Sequence, residues 1–222
     1  MTPDEALGRI LLQDAAVLIL DKPAGLPVHR GPRGGASLED WLPLLQQGRR
    51  HPPQPAHRLD QDTAGCLALG RTKPAMAALG RLFAEGRAEK TYWAVLRGDI
   101  ADAGICEAPL LKRSTRERGW WMAVDPAGQP SRTEWRVLGR APGLVAVELR
   151  PRTGRTHQLR VHMAHLGAPI LGDGRYGAMG GREEGAMQLL ARSLVLPLEA
   201  PLRATAPVPP HMREALAACG VE

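Results

Sequence analysis

The chain has 222 residues, 44% of them hydrophobic, and a formal net charge of +6 at pH 7. That length suffices for one large domain or two small ones with a real core, and the basic balance favours an anionic partner, nucleic acid before a membrane surface. Three widely spaced cysteines (Cys66, Cys106, Cys219) with no C-x-x-C argue against a disulfide framework or a zinc site and fit a reducing cytosol.

The opening MTPDEALGRI lacks the basic start of a signal peptide, and the early apolar run AAVLIL is too short to span a membrane. No repeat is visible. AAVLILDKPAGLPVH reads as a buried strand over 16–20 that leaves into a Pro/Gly loop. In ASLEDWLPLLQQG, Ser37 stands three residues before Asp40, a capping-box-like start, so a short helix is expected with Pro43 tolerated in its first turns. CLALGRT reads as a short strand. KPAMAALGRLFAEG predicts a helix opened by Pro74, with Met76, Leu79, Leu82 and Phe83 at helical spacing and Gly86 as its stop.

KTYWAVLRG alternates as a strand over 91–96, and SRTEWRVLGRAPGLVAVELRP reads as a hairpin turning at 141–144. THQLRVHMAHLG predicts a helix ending at Gly167. QLLARSLVLPL and LRATAP read as a closing strand pair, and PPHMREALAACG as a final short helix. Strands dominate without strict alternation, so the expected class is α+β: a single domain over 1–222 with a mixed, mostly antiparallel bent β-sheet flanked by helices and loops.

The chemistry concentrates in two stretches. HRLD places Asp60 two residues after Arg58 at the exit of a Pro-rich loop. A carboxylate beside a guanidinium is favoured in its ionised form, and such a group can act as nucleophile, base or stabiliser of a cationic sugar carbon. The plain alternative is a surface salt bridge. Asp62 offers a second acid, but Asp62-Thr63 also suits a turn. RPRTGRTHQLRVHMAH, residues 150–165, holds Arg150, Arg152, Arg155 and Arg160 around a Thr-Gly turn before a helix, where Arg forks and a helix N-terminus favour phosphate. Arg160, inside the helix, has the further option of reaching inward to a carboxylate. His157, His162 and His165 do not follow H-E-x-x-H, so they are read as packing or RNA-touching groups rather than metal ligands. RGPRGG lacks the Lys-Ser/Thr of a P-loop, although Arg30 and Arg33 could meet a phosphate backbone. Tyr92, one of two tyrosines, has a ring able to stack on a base and a hydroxyl able to exchange a proton.

Together these segments resemble the RluA-type pseudouridine synthases. VLILDKPAGLPVH is similar to that family's first motif, HRLDQDTAG to its H-R-L-D-x-x-T-S-G motif with Ala64 in place of Ser, KTYWAVLRG to its K-x-Y strand, and PRTGRTHQLRVHMAHLGAPILGDGRYG to its third signature. The order holds over a motif-bearing core of about 17–206. The resemblance implies isomerisation of uridine in ribosomal or transfer RNA to pseudouridine. Asp60 would be the catalytic aspartate, Tyr92 would pack on the uracil and act at C5, and Arg160 would pair with Asp60. Arg58 would fill the gap left by the flipped uridine. His57, Arg30, Arg33, Arg152, Arg155, Thr156 and His157 are then candidate RNA contacts. No cofactor is required, since nothing is transferred or oxidised. The partner is a structured RNA stem-loop, and a cytoplasmic monomer without an N-terminal S4 domain is expected. An N-glycosidic hydrolase using Asp60 and Asp62, or a non-catalytic RNA-binding module, are the competing readings.

Overall fold

Val17, Leu18, Ile19 and Leu20 are all buried, so the first apolar run is a strand covered on both faces. The computed structural model describes residues 2–31, 34–117, 119–177 and 185–222. These divide into one unit of residues 1–90 with 190–208 and another of 91–189 with 209–222. In chain order the elements are α1 (Pro3–Leu7), β1 (Ile10–Gln13), β2 (Val17–Lys22), β3 (Gln54–Pro55), β4 (Ala64–Gly70), α2 (Lys73–Ala84), β5 (Glu89–Arg97), β6 (Ala103–Cys106), β7 (Leu110–Thr115), β8 (Gly119–Val124), β9 (Thr133–Ala141), β10 (Leu144–Pro151), α3 (Gln158–His165), β11 (Leu189–Leu196), β12 (Leu202–Thr205) and α4 (Pro210–Ala218).

In the first unit β2 lies antiparallel to β1 and to β4, with Leu18 opposite Leu69 and Leu20 opposite Leu67. β4 continues into a parallel pairing with β11, and β12 runs antiparallel to β11. Every residue of β4 is buried. α2 starts where Thr72 Oγ1 accepts the Ala75 N–H, buries Ala75, Leu79 and Leu82, and stops at Gly86 with φ +68°.

In the second unit β5 pairs with β10, β10 with β9, and β9 with β6, all antiparallel. Leu96, Val147 and Leu149 from these strands pack with Leu159 and Met163 of α3 and with Ile170. β7 and β8 form a separate two-stranded ribbon. The class is therefore α+β with mixed, mostly antiparallel pairing, as the sequence predicts.

The differences are local. Residues 37–46 form only a 3-10 turn, Leu38–Asp40, followed by further turns. The Asp40 carboxylate does accept the Ser37 N–H, but Pro43 supplies no N–H to continue a helix. α1, β1 and the strands β6 to β8 have no counterpart in the sequence reading. Among the described residues no helix is long and apolar enough to cross a membrane.

Gly65 shows why HRLDQDTAG ends in glycine. Its φ is +106°, and a Cβ there would collide with the Ala191 carbonyl of the paired β11. Gly65→Ala is expected to cost about 3 kcal/mol or more through strain plus overpacking, which a urea denaturation midpoint will read.

Candidate active site

The Asp60 loop is built by alternation. Leu59 is buried, while its neighbours Arg58 and Asp60 are exposed and half-buried. The turn closes where the Thr63 N–H donates to the Asp60 carbonyl at 3.2 Å, and Thr63 itself is buried. His57 anchors the loop from the other side. Its Nε2 accepts the Ala68 N–H at 3.0 Å, and its ring stacks on Phe83 at 4.3 Å. Burial, with the Lys90 charge adding to it, pushes the His57 pKa down to about 3. His57 is thus a neutral imidazole, and any RNA contact it makes is made without a charge.

Beneath this loop lies Lys22, fully buried at the end of β2. Its Nζ donates to the carbonyls of Pro23, Leu26 and Gln61 at 2.8, 2.8 and 2.9 Å. Two segments are thereby tied to one ammonium: the DKPAGL turn and the residue directly after Asp60. Burial lowers the Lys22 pKa to about 8, against the opposing pull of the Asp62, Asp60 and Asp21 charges. Asp62 is therefore part of the field that holds Lys22 charged. Lys22→Met is expected to cost about 2–4 kcal/mol at pH 7 by orphaning those carbonyls. Because the folded pKa lies below the unfolded one, the unfolded chain binds the extra proton between pH 8 and 10.5. The wild type should therefore gain stability over Lys22→Met across that window, as chemical denaturation at stepped pH will measure.

In the second unit α3 is buried over Gln158–Met163, polar residues included. Each polar side chain has a partner. Gln158 Oε1 accepts from the Arg155 N–H and Thr153 Oγ1, and its Nε2 donates to the Arg132 carbonyl and Thr133 Oγ1, which fixes the Thr-Gly loop. His162 lies between Thr133 Oγ1 (2.9 Å), Ser131 Oγ and the Ala108 carbonyl (both 3.0 Å). Arg160 donates from Nε and Nη2 to the two oxygens of Asp173, both at 2.8 Å, a bidentate pair. Asp173 Oδ1 also accepts the N–H groups of Arg175 and Tyr176. Burial would raise the Asp173 pKa, but the Arg160 hydrogen bonds and charge, with those two N–H groups, outweigh it and hold it low.

Tyr176 completes this cluster. Its hydroxyl accepts the Met122 N–H at 3.0 Å and lies 2.7 Å from His157 Nδ1, while the Arg160 guanidinium sits over its ring at 5.1 Å. His157 is the N-cap of α3, with φ +53°, and makes no side-chain cap hydrogen bond. Tyr92, opposite Leu149 on β5, is half-buried against the same core that holds Leu159 and Met163. Neither Asp173 nor Tyr176 stands out in the sequence. The one available signal was the acid inside LGDGRYG.

Arg30 pairs with Asp40, and its N–H donates to Glu39. Arg150 pairs with Glu148 and Arg152 with Glu134, while Arg155 Nε donates to the Pro130 carbonyl. Thr156 is half-buried in the turn before α3. Arg33 lies outside the described residues.

A family model described as RNA pseudouridylate synthase matches residues 16–165. The chain belongs to that family. An uncharacterized RNA pseudouridine synthase of Zymomonas mobilis is 44% identical over 205 residues, covering 90% of this chain and 94% of its own. A ribosomal large subunit pseudouridine synthase D of Xanthomonas campestris is 35% identical over 97% of this chain and 70% of its own. The solved human RNA pseudouridylate synthase domain containing 4 superposes with a TM-score of 0.85 at 28% identity, covering 99% of this chain and 96% of that one. The protein is an RluA-type synthase that isomerises uridine in RNA, and neither the hydrolase nor the bare binding module is favoured.

Within this synthase the Arg160–Asp173 pair should carry a large share of local stability. Asp173→Asn removes the negative charge from a buried bidentate pair and is expected to cost about 3–5 kcal/mol at pH 7. The folded pKa of Asp173 is lowered, so its contribution is full above the unfolded value and is lost as pH falls through the folded one. Acid titration of stability below pH 4 should be shallower in the variant.

Proposed function

We propose that this synthase modifies one or a few uridines in structured stem-loops of ribosomal RNA, acting as a cytoplasmic monomer, and that Asp60 is its catalytic carboxylate. The observation that carries the role of Asp60 is the construction of its loop. A buried leucine, a closed turn and a buried lysine tied to the next carbonyl hold a carboxylate half-exposed beside an exposed arginine. The ribosomal target is supported by the 35% identity to a synthase named for the large subunit.

In this reading the target uridine leaves its stack and Arg58 takes its place. Asp60 supplies negative charge as the C1′–N1 bond breaks and the sugar carbon becomes cationic. The uracil turns, C5 bonds to C1′, the C5 proton leaves through the Tyr92 hydroxyl, and N1 ends protonated. Every atom is retained and no oxidation state changes, so the residues need only charge, stacking and proton transfer. Arg160, held by Asp173, is the residue that the family resemblance pairs with Asp60. What supports the roles of Tyr92 and Arg160 is their position in the third and fourth matching segments, with Tyr92 packed against the core that holds Leu159 and Met163 and Arg160 buried in α3 between those two residues in sequence.

The test is pseudouridine mapping of total RNA from cells with the gene, without it, and with Asp60→Asn. One or a few ribosomal pseudouridines should disappear in the last two, while RNA affinity of the variant stays within about threefold of wild type. Release of free uracil, or a map unchanged by Asp60→Asn, would overturn the reading.

A further inference from the structure

We propose that Trp120, on the β7–β8 ribbon, is a stacking platform for an unpaired base of the RNA substrate, flanked by Lys112 and Arg175 as phosphate contacts. The inference rests on the RNA-modifying function and adds a second place where the substrate is held.

The ribbon's pairing decides which side chains share a face. Leu110 stands opposite Val124, Lys112 opposite Met122 and Ser114 opposite Trp120, so these six residues lie on one side. The base of that face is apolar: Leu110, Met122 and Val124 pack with Val161 of α3 and with Tyr176. Toward the tip the apolar packing stops, yet the largest side chain of that face stands there. Trp120 is 37% exposed, one of two large hydrophobic residues so open among the described residues. A tryptophan at the end of a packed face is ordinarily drawn into the core.

Its neighbours are of another kind. Lys112 Nζ lies 5.1 Å from the ring centre, the Arg175 guanidinium 5.0 Å, and the His157 ring 5.1 Å. Arg175 is fixed in this place by its Nη1, which donates to the Trp120 carbonyl at 2.8 Å. Both Lys112 and Arg175 are exposed, and among the described residues neither has a carboxylate partner. This differs from Arg113 on the opposite face, which pairs with Asp125. Both cations lie over the exposed indole, so a base that stacks on the ring takes its place from the Lys112 ammonium, and the two cations then meet the phosphates beside that base. A protein partner of acidic character would match the cations but has no use for an open indole beside them.

The platform is coupled to the site already described. His157 touches Trp120 on one side and Tyr176 on the other, with ring centres 5.5 Å apart, and Tyr176 lies under Arg160. A base stacked on Trp120 would bear on the same turn that carries Asp173, Arg175 and Tyr176. The expected occupant is thus a nucleotide near the target, unpaired in the stem-loop. RNA whose bases are all paired has no free face to offer.

The test compares Trp120→Leu, which keeps apolar bulk against His157 and Arg175 but cannot stack, with Trp120→Phe, which can. The probes are a labelled 12-nucleotide oligouridylate and a 12-base-pair RNA duplex, read by fluorescence anisotropy. Trp120→Leu should weaken oligouridylate binding about tenfold to a hundredfold. Trp120→Phe should stay within about threefold of wild type, and duplex binding should change little in either. Lys112→Gln with Arg175→Gln should flatten the slope of log affinity against log salt by about 1.4 for the single strand. Equal affinity of the Leu and Phe forms for oligouridylate would overturn the proposal, as would equal losses on both probes. The outcome is separable from that of the target assignment. A synthase that leaves ribosomal RNA unmodified yet shows the Leu/Phe difference keeps the platform and loses the proposed target; the reverse pattern loses only the platform.

Discussion

A buried ammonium has to find acceptors, and Lys22 finds three. That requirement organises the first unit. Two of the acceptors are the carbonyls of Pro23 and Leu26, and they converge on one nitrogen because Gly25 turns the chain with φ +83°. The third is the carbonyl of Gln61, thirty-nine residues later in sequence. The Lys-Pro-x-Gly turn and the HRLDQDTAG loop are therefore one construction, joined through a single charged atom. The same ammonium sits in the field of Asp60 and Asp62, which offsets part of its desolvation. A change at Lys22 would be felt first at the peptide that follows Asp60.

The second unit meets a similar demand by a different route. In α3 the polar residues Gln158, Arg160 and His162 recur at every second position and are all buried. A helix of that pattern has no apolar stripe, and it is stable only because each polar group is matched: by the loop before it, by Asp173, and by the start of β9 with the segment before it. The matching fixes register as well as stability. A one-residue slip of α3 would orphan three buried polar side chains at once.

The legible part of the sequence was whatever repeats or caps locally. β2, β4, β5, α2, α4 and the β9–β10 hairpin follow from alternation, helical spacing and the Pro74, Gly86 and Gly143 punctuation. The Asp60 loop was visible as an acid beside an arginine, and its chemistry was visible through the family resemblance. The β7–β8 ribbon was not, because KRST and GWW do not alternate toward a core on both strands. Asp173 was missed because its partner lies thirteen residues away, on a helix whose inward face cannot be read from periodicity. The fate of the basic loops was hidden for the same reason. Arg152 finds Glu134 only because β10 lies beside β9 in a register that sets Arg150 opposite Glu134 and Pro151 opposite Thr133.

Those pairings change what a count of arginines means. Arg30, Arg150 and Arg152 each have a carboxylate, with all three guanidiniums about half exposed; Glu148, the partner of Arg150, is buried, but the more open Arg30–Asp40 and Arg152–Glu134 pairs are worth about 1 kcal/mol or less. A phosphate arriving from solvent offers as good a partner as Glu134 does, so such a pair orders an arginine without locking it. Arg160 differs in kind. Its guanidinium and the Asp173 carboxylate are both buried, and separating them would strand two charges away from water. These positive residues thus fall into three grades: Arg58, Lys112 and Arg175 exposed to an arriving anion, the exposed pairs releasable to one, and Lys22 and Arg160 committed to the fold. Only the first two grades can respond to RNA. The third fixes the geometry to which the RNA must conform.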